Sequence, residues 1–180
     1  MKIFKIIFFS FLINNISCVA QTKISINELE ESLLQSEDKI NTSRIKLLKE
    51  LRSFLFKDVT EIGKEFILIE ELSHTSFLYR GVLYSKFKTY SFELDYYKGN
   101  EDIHLEEISN ENLFKETYIE SCIILEILKK NIPNLLIEDQ NTINTHSVFY
   151  ATIANKSDIK FHTIKRLCMI DSKGKVEYNW

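Results

Sequence analysis

Glycine and proline are scarce in this chain, which has four glycines and one proline in 180 residues. Gly63, Gly81, Gly99 and Gly174 are far apart in the sequence. A loop that cradles phosphate with backbone N–H groups needs several closely spaced glycines, so the Walker and dinucleotide-binding fingerprints are absent. With 44% hydrophobic residues, the composition also differs from that of a disordered or low-complexity chain.

The chain also has no excess of positive charge, and its formal net charge is −3 at pH 7. Binding to nucleic acid requires clustered lysine and arginine side chains that face the phosphates. An anionic membrane surface attracts polybasic segments for the same reason. The charge balance therefore argues against nucleic acid as a partner and gives no patch for an anionic membrane.

Two motifs that would identify an enzyme are also absent from the sequence. There is no G-x-S-x-G turn to present a nucleophilic serine, and no H-E-x-x-H helix to hold zinc. The sequence predicts neither a metal nor a cofactor, and it leaves catalytic activity undecided, with the balance against an enzyme.

The first 20 residues have the three-part order of a secretory signal peptide. Lys2 and Lys5 precede an apolar run of eight residues (6–13, IIFFSFLI), and a more polar tail ends in small residues at Ala20. The run is far shorter than the roughly 20 residues that a membrane-spanning helix needs. We therefore expect an exported protein, periplasmic or extracellular, in which residues 1–20 are removed and residues 21–180 form one domain.

A second interpretation of this segment gives a lipid-anchored surface protein. Ile16 and Ser17 before Cys18 look like the end of a lipobox, which would make Cys18 the lipid-carrying first residue. Asn15 stands where such motifs usually carry leucine. Cleavage after Ala20 and lipidation at Cys18 both remain open at this point.

The mature chain would be a mildly acidic single domain of 160 residues. Because two of the 23 basic residues lie in the signal, it would carry 21 basic and 26 acidic residues, a net charge of −5. Two cysteines would remain after cleavage, Cys122 in a predicted helix and Cys168 in a predicted strand. They could form a disulfide in an oxidising compartment, or remain two buried thiols.

The hydrophobic periodicity predicts a single α+β domain. Two N-terminal helices are expected after the signal peptide, at 27–35 and from Ser43 to Leu55, and one long helix at about 110–130. Short turns between neighbouring strands indicate an antiparallel sheet, across which the long helix would pack. The predicted strands cover residues 65–72, 76–84, 87–97, 102–108, 146–154, 159–170 and 176–178.

Tyrosines are concentrated in the central strands, at Tyr79, Tyr84, Tyr90, Tyr96 and Tyr97. Exposed tyrosines make good contact surfaces because each combines apolar area with a hydroxyl group. Tyrosine is also a common strand residue that packs with its tip in water. We predict Tyr84, Tyr90 and Tyr96 as candidate binding residues on the sheet surface.

The most concentrated polar pattern is Asp102, His104 and Glu106. Alternate side chains of a strand share a face, so these three could form a divalent-metal set or a catalytic histidine with acids. The alternative is an ordinary exposed strand face, with Ile103 and Leu105 buried behind it. The other three histidines are His74, His146 and His162.

From these patterns we expect an exported, non-enzymatic binding or accessory protein that engages a protein or a glycan through the tyrosine-rich sheet. One alternative is a small secreted hydrolase with a histidine and carboxylate site, and another is the lipid-anchored surface protein. A deep pocket lined by two or more of the four histidines would favour the enzyme.

Overall fold

The computed structural model describes most of the chain after the predicted signal peptide. The signal peptide and Cys18 lie outside the described residues, so export and lipidation stay predictions. The described residues are 26–34, 41–59, 63–73, 75–98, 102–115, 119–137, 147–156, 158–171, 173 and 175–179.

A six-stranded, wholly antiparallel sheet forms the centre of the molecule, in the spatial order β4-β3-β2-β1-β5-β6. This architecture confirms the predicted mixture of helices with an antiparallel sheet. The strands are β1 Glu65–Ser73, β2 Leu78–Ser85, β3 Thr89–Asp95, β4 His104–Ile108, β5 Ser147–Asn155 and β6 Asp158–Ile164.

Two N-terminal helices cover one face of the sheet. These are α1, Ile26–Leu34, and α2, Thr42–Asp58. Asn41 caps α2, because its side chain accepts a hydrogen bond from the Ser43 backbone N–H. The leucines of both helices share one hydrophobic cluster with the even-numbered residues of β1 and β3, so we call this the N-terminal face.

The opposite face of the sheet carries three further helices and a β-hairpin. The helices are α3 Asn110–Lys115, α4 Ile119–Leu128 and α5 Ile132–Leu136, and the hairpin pairs β7, Leu167–Ile170, with β8, Val176–Asn179. Their apolar side chains form a second cluster with odd-numbered residues of β1 and β5. We call this the C-terminal face.

Burial on both faces explains the sequence of β1. All seven residues of β1 after Phe66 are buried. Even-numbered apolar residues pack with α1 and α2, and odd-numbered apolar residues pack with α4. In β3 the two faces differ, since Phe92 and Leu94 are buried while Glu93 is exposed. That difference places a polar surface on the C-terminal face of β2, β3 and β4.

The prediction of one long helix over about 110–130 is wrong. The hydroxyl of Ser121 donates to the carbonyl oxygen of Leu113 at 2.6 Å. In a continuous α-helix, residues eight apart are separated by about 12 Å along the axis, which excludes this bond. Residues 110–115 and 119–128 therefore form two separate helices, and Pro133 lies in the first turn of α5.

The single strand predicted over 159–170 is also wrong. Its first part is β6, which pairs with β5, and its second part is β7, which pairs with β8 outside the main sheet. Lys165 and Arg166 separate the two, and both backbone N–H groups donate to the carbonyl oxygen of Leu135. None of the helices among the described residues is long and apolar enough to cross a membrane.

Candidate functional site

A cavity of about 460 Å³ lies on the C-terminal face, between β2, β3 and β4 and the helices α3 and α4. Its wall combines charged, polar and apolar groups. The lining residues are Arg80, Gly81, Val82, Ser91, Phe92, Glu93, His104, Glu106, Ile108, Asn112, Leu113 and Glu120. We call it the strand–helix cavity.

Strand register creates the charged side of this cavity. Glu71 lies opposite Arg80, Arg80 opposite Glu93, and Glu93 opposite His104. Directly opposed residues of antiparallel strands have Cβ atoms about 4.5–5.5 Å apart. Four ionisable side chains therefore form one row across β1 to β4.

The next row on the same face is less polar. Val82 lies opposite Ser91, and Ser91 opposite Glu106. Ile108 and Leu113 add apolar wall. The strand–helix cavity therefore has a charged side and an apolar side.

Arg80 is paired with a carboxylate that does not line the cavity. Its Nε donates to Oε2 of Glu71 at 2.5 Å, and the two side chains are 47% and 9% exposed respectively. Burial lowers the pKa of Arg80. The hydrogen bond and the charge of Glu71 raise it, the negative charges of Glu120 and Glu93 raise it further, and the net shift is upward. The guanidinium is therefore charged and held at the rim of the strand–helix cavity.

Glu120 reaches the cavity from the first turn of α4. Burial raises the pKa of its carboxyl group, and Glu71 adds to the rise, while its own backbone N–H and the charge of Arg80 oppose it. The raised pKa means that the ionised form of Glu120 is poorly compensated by its surroundings.

Three carboxylates of the cavity have no ion-pair partner in the part of the chain that the structure describes. These are Glu93, Glu106 and Glu120, of which the first two are exposed. The basic groups that line the same cavity are the guanidinium of Arg80, which is bonded to Glu71, and the imidazole of His104. By formal charge, the lining of the cavity is therefore negative.

Two members of the Asp102, His104 and Glu106 pattern line the cavity. His104 and Glu106 are alternate residues of β4 on the C-terminal face, whereas Asp102 precedes the strand and is exposed. Within the described ranges, no group of three histidine, cysteine, aspartate or glutamate side chains converges to hold a metal ion.

The other histidines do not add to this site within the described residues. His162 is a half-buried residue of β6, at the other edge of the sheet from β4. His74 and His146 lie outside the described residues. His104 is thus the one described histidine that lines the cavity.

The three tyrosines predicted as binding residues lie on two different faces of the sheet. Tyr84 packs edge-on against Phe114 on the C-terminal face, with ring centroids 5.9 Å apart. Tyr90 and Tyr96 pack against the cluster of the N-terminal face. They therefore do not form one continuous surface.

Tyr96 belongs to an exposed aromatic cluster at one end of the sheet. The ring of Phe77 lies 5.8 Å from that of Tyr96 and 4.7 Å from that of Tyr97. The Tyr96 hydroxyl donates to the Ser73 carbonyl oxygen at 2.8 Å, which anchors the cluster. Phe77 and Tyr97 are 40% and 71% exposed, and Phe77 has a φ of 52°, an uncommon value for a bulky residue.

The two cysteines are in direct contact on the C-terminal face. Cys122 of α4 and Cys168 of β7 are both fully buried, and their Cα atoms are 5.8 Å apart. Disulfides are usually found at Cα separations of roughly 4.4–6.8 Å.

Sequence reasoning missed the residues that complete the cavity, Arg80, Glu93, Ser91 and Glu120. A signal for part of the site was present, because Ser91 and Glu93 alternate with buried residues in β3. Their meeting with His104 depends on strand register, which the alternation alone does not fix. Comparison of the chain with protein-family models, curated proteins and solved structures finds no match.

Proposed function

We propose that this protein is an exported, non-enzymatic binding protein whose ligand site is the strand–helix cavity. The observation that carries the proposal is the cavity itself, about 460 Å³ in volume and lined by both charged and apolar side chains. Small-molecule sites have volumes of roughly 300–1,000 Å³ and combine apolar walls with a few polar groups.

The site is built on regular elements, which favours a preformed cavity. Its charged side belongs to β2 and β3, which are paired with a neighbouring strand on either side, and to the edge strand β4, which is paired with β3. Glu120 and Leu113 come from helices packed on the sheet. A ligand would therefore bind without the entropy loss of ordering a loop.

The hydrolase alternative has one observation in its favour, because Ser91, His104 and Glu93 line the same cavity. A serine nucleophile needs a base within hydrogen-bond reach and a carboxylate that orients the base. Among the described residues, no hydrogen bond joins His104 to Ser91, Glu93 or Glu106. We therefore place binding ahead of hydrolysis.

Fragment titration followed by ¹H–¹⁵N NMR tests the proposal. We expect shift changes concentrated in β2–β4 and at the start of α4, and their loss in a Ser91→Trp variant that fills the cavity. A matched Thr163→Trp variant changes a half-buried β6 residue on the N-terminal face. Fragments that perturb only residues away from the strand–helix cavity would contradict the assignment.

A second contact surface is the aromatic cluster of Phe77, Tyr96 and Tyr97. Its exposed rings and the strained φ of Phe77 support it, since strained residues concentrate at functional sites. We propose it as the surface for a protein or glycan partner. Tyr97→Ala should weaken capture of such a partner by the purified protein, whereas Phe87→Ala, which alters an exposed ring in the β2–β3 turn, should not.

Export and anchoring are part of the same proposal. Mass spectrometry of the purified protein decides between a mature chain that begins at Gln21 and one that begins at a lipid-modified Cys18. A chain that retains Met1 would contradict export by this signal.

A further inference from the structure

We infer that the ligand of the strand–helix cavity is a small organic cation, an ammonium or guanidinium group attached to a short hydrocarbon chain. The inference rests on the proposed function, because it names the ligand class of that same cavity.

The first step is the balance of charge among the side chains that line this concave, partly open cavity. Glu93, Glu106 and Glu120 line the cavity without ion-pair partners among the described residues, whereas Arg80, the single lining guanidinium, is bonded to Glu71. Charges interact more strongly in a concave, partly desolvated site than on an open surface. A cation in the cavity would be stabilised there, and an anion would be repelled.

The second step concerns the position of Glu120. Its carboxyl group is largely removed from water, and the nearest cation, Arg80, does not form a salt bridge with it within the described chain. Burial of a carboxylate is unfavourable unless hydrogen bonds or an opposite charge compensate it. A bound ammonium group would supply that compensation.

The third step separates an organic cation from a metal ion. No three of the potential metal-ligating side chains converge within the described residues, so the cavity lacks the cluster of ligands that would hold a divalent metal ion. Val82, Ile108 and Leu113 give the cavity an apolar wall that a hydrated metal ion would not use. A hydrocarbon chain would bury that wall, with the charged end toward Glu106 and Glu120.

The test compares three molecules of similar length that differ in charge: butylamine, 1-butanol and butyrate. Isothermal titration calorimetry at pH 7 should show the strongest binding for butylamine and the weakest for butyrate. Glu106→Gln and Glu120→Gln should each weaken butylamine binding by about tenfold, since a hydrogen bond to a charged group contributes more than a neutral one. Higher salt should weaken the binding as well.

Glu177→Gln is the matched control, because Glu177 is an exposed glutamate of β8 that does not line the cavity. Its affinity for butylamine should equal that of the unaltered protein. Circular dichroism of each variant establishes that the fold is retained.

The outcomes distinguish an error in the class of ligand from an error in the location of the binding site. If 1-butanol or butyrate binds in the cavity more tightly than butylamine, the cation inference is overturned while the cavity remains a binding site. If none of the three binds and fragment titration perturbs no cavity residue, the proposed function fails too. Butylamine binding that Glu106→Gln and Glu120→Gln leave unchanged also overturns the inference, because the cation then binds elsewhere.

Discussion

Arg52 of α2 and Glu70 of β1 form a buried ion pair, with Nε and Oε1 2.8 Å apart and side-chain exposures of 1% and 0%. The hydroxyl of Tyr79 donates to the same Oε1 at 2.9 Å, and Nη2 of Arg52 donates to Oγ1 of Thr152 at 2.7 Å. The guanidinium also lies over the ring of Phe161. This network joins α2 to the central strands and fixes where the helix packs.

Removing one partner of this pair should destabilise the protein strongly. Arg52→Met leaves the carboxyl group of Glu70 buried without its partner, and such a loss usually lowers the free energy of unfolding by about 3–5 kcal/mol. Urea denaturation measures the change. The double variant Arg52→Met, Glu70→Met should recover much of that loss, because no buried charge is then left uncompensated.

Lys49→Met is the control in the same helix. Lys49 pairs with Glu30 at 3.3 Å, but both side chains are about 30% exposed. A surface pair of this kind contributes about 0–1 kcal/mol. Equal destabilisation by Arg52→Met and Lys49→Met would contradict the special role of the buried pair.

The stability of the protein should depend on pH through Glu120. Its pKa is raised by burial, so its contribution to stability is fully present below the ordinary value of 4.5 and is lost as pH rises through the folded pKa. Above the folded pKa, the carboxylate is ionised in a site that compensates its charge poorly. Glu120→Gln should therefore be more stable than the unaltered protein at pH 7, and the difference should shrink toward pH 4.

Thermal unfolding between pH 4 and pH 8 provides this measurement. Glu177→Gln, which replaces an exposed glutamate, should follow the unaltered protein throughout the range. A Glu120→Gln variant that is less stable than the unaltered protein at pH 7 would show that the carboxylate has a partner that compensates its charge.

The contact between Cys122 and Cys168 leads us to expect a disulfide if the protein is exported to an oxidising compartment, as we propose. A bridge between residues separated by 46 positions restricts the unfolded chain and contributes about 4 kcal/mol in the chain-entropy model. Replacing both cysteines with alanine should lower the free energy of unfolding by up to that amount. Reduction of the unaltered protein should have a similar effect.

Thiol titration in denaturant checks the bond directly. The predicted result is that neither Cys122 nor Cys168 reacts before reduction and that both react afterwards. Two reactive thiols in the unreduced, freshly purified protein would mean that they are buried free cysteines.

Gly81 of β2 has no space for a side chain. A Cβ atom at this position would collide with the carbonyl oxygen of Ile69 and lie 2.8 Å from Cζ of Phe92. Gly81→Ala should therefore destabilise the protein by about 1–3 kcal/mol or more, as overpacked positions do. Ser91→Ala, in the neighbouring strand, introduces no such contact and should have a much smaller effect in the same urea titration.

Residues 89–95 illustrate what the sequence could predict. Their alternation of Tyr90, Phe92 and Leu94 with polar residues correctly separated a buried face from a polar one, because the period of a strand is two. The prediction of one helix over 110–130 was wrong because its apolar positions fit one continuous helix as well as two shorter ones. The hydrogen bond from Ser121 to Leu113, which excludes a continuous helix, is a tertiary contact that the periodicity does not show.

The candidate site was predictable only in part, for a similar reason. His104 and Glu106 were identified within one strand, but Arg80, Glu93 and Glu120 join them through strand register and helix packing. Glu70, within an apolar run, gave no indication of its partner Arg52, which lies 18 residues earlier. Contacts between distant segments leave little trace in local periodicity.

Binding of an organic cation in the strand–helix cavity can be seen in a crystal structure of the protein grown with saturating butylamine. We expect density for the amine in the cavity, with its nitrogen within hydrogen-bond distance of the carboxylate of Glu106 or Glu120 and its hydrocarbon chain against Val82 and Leu113. An amine bound at another site, with only water in the cavity, would contradict it.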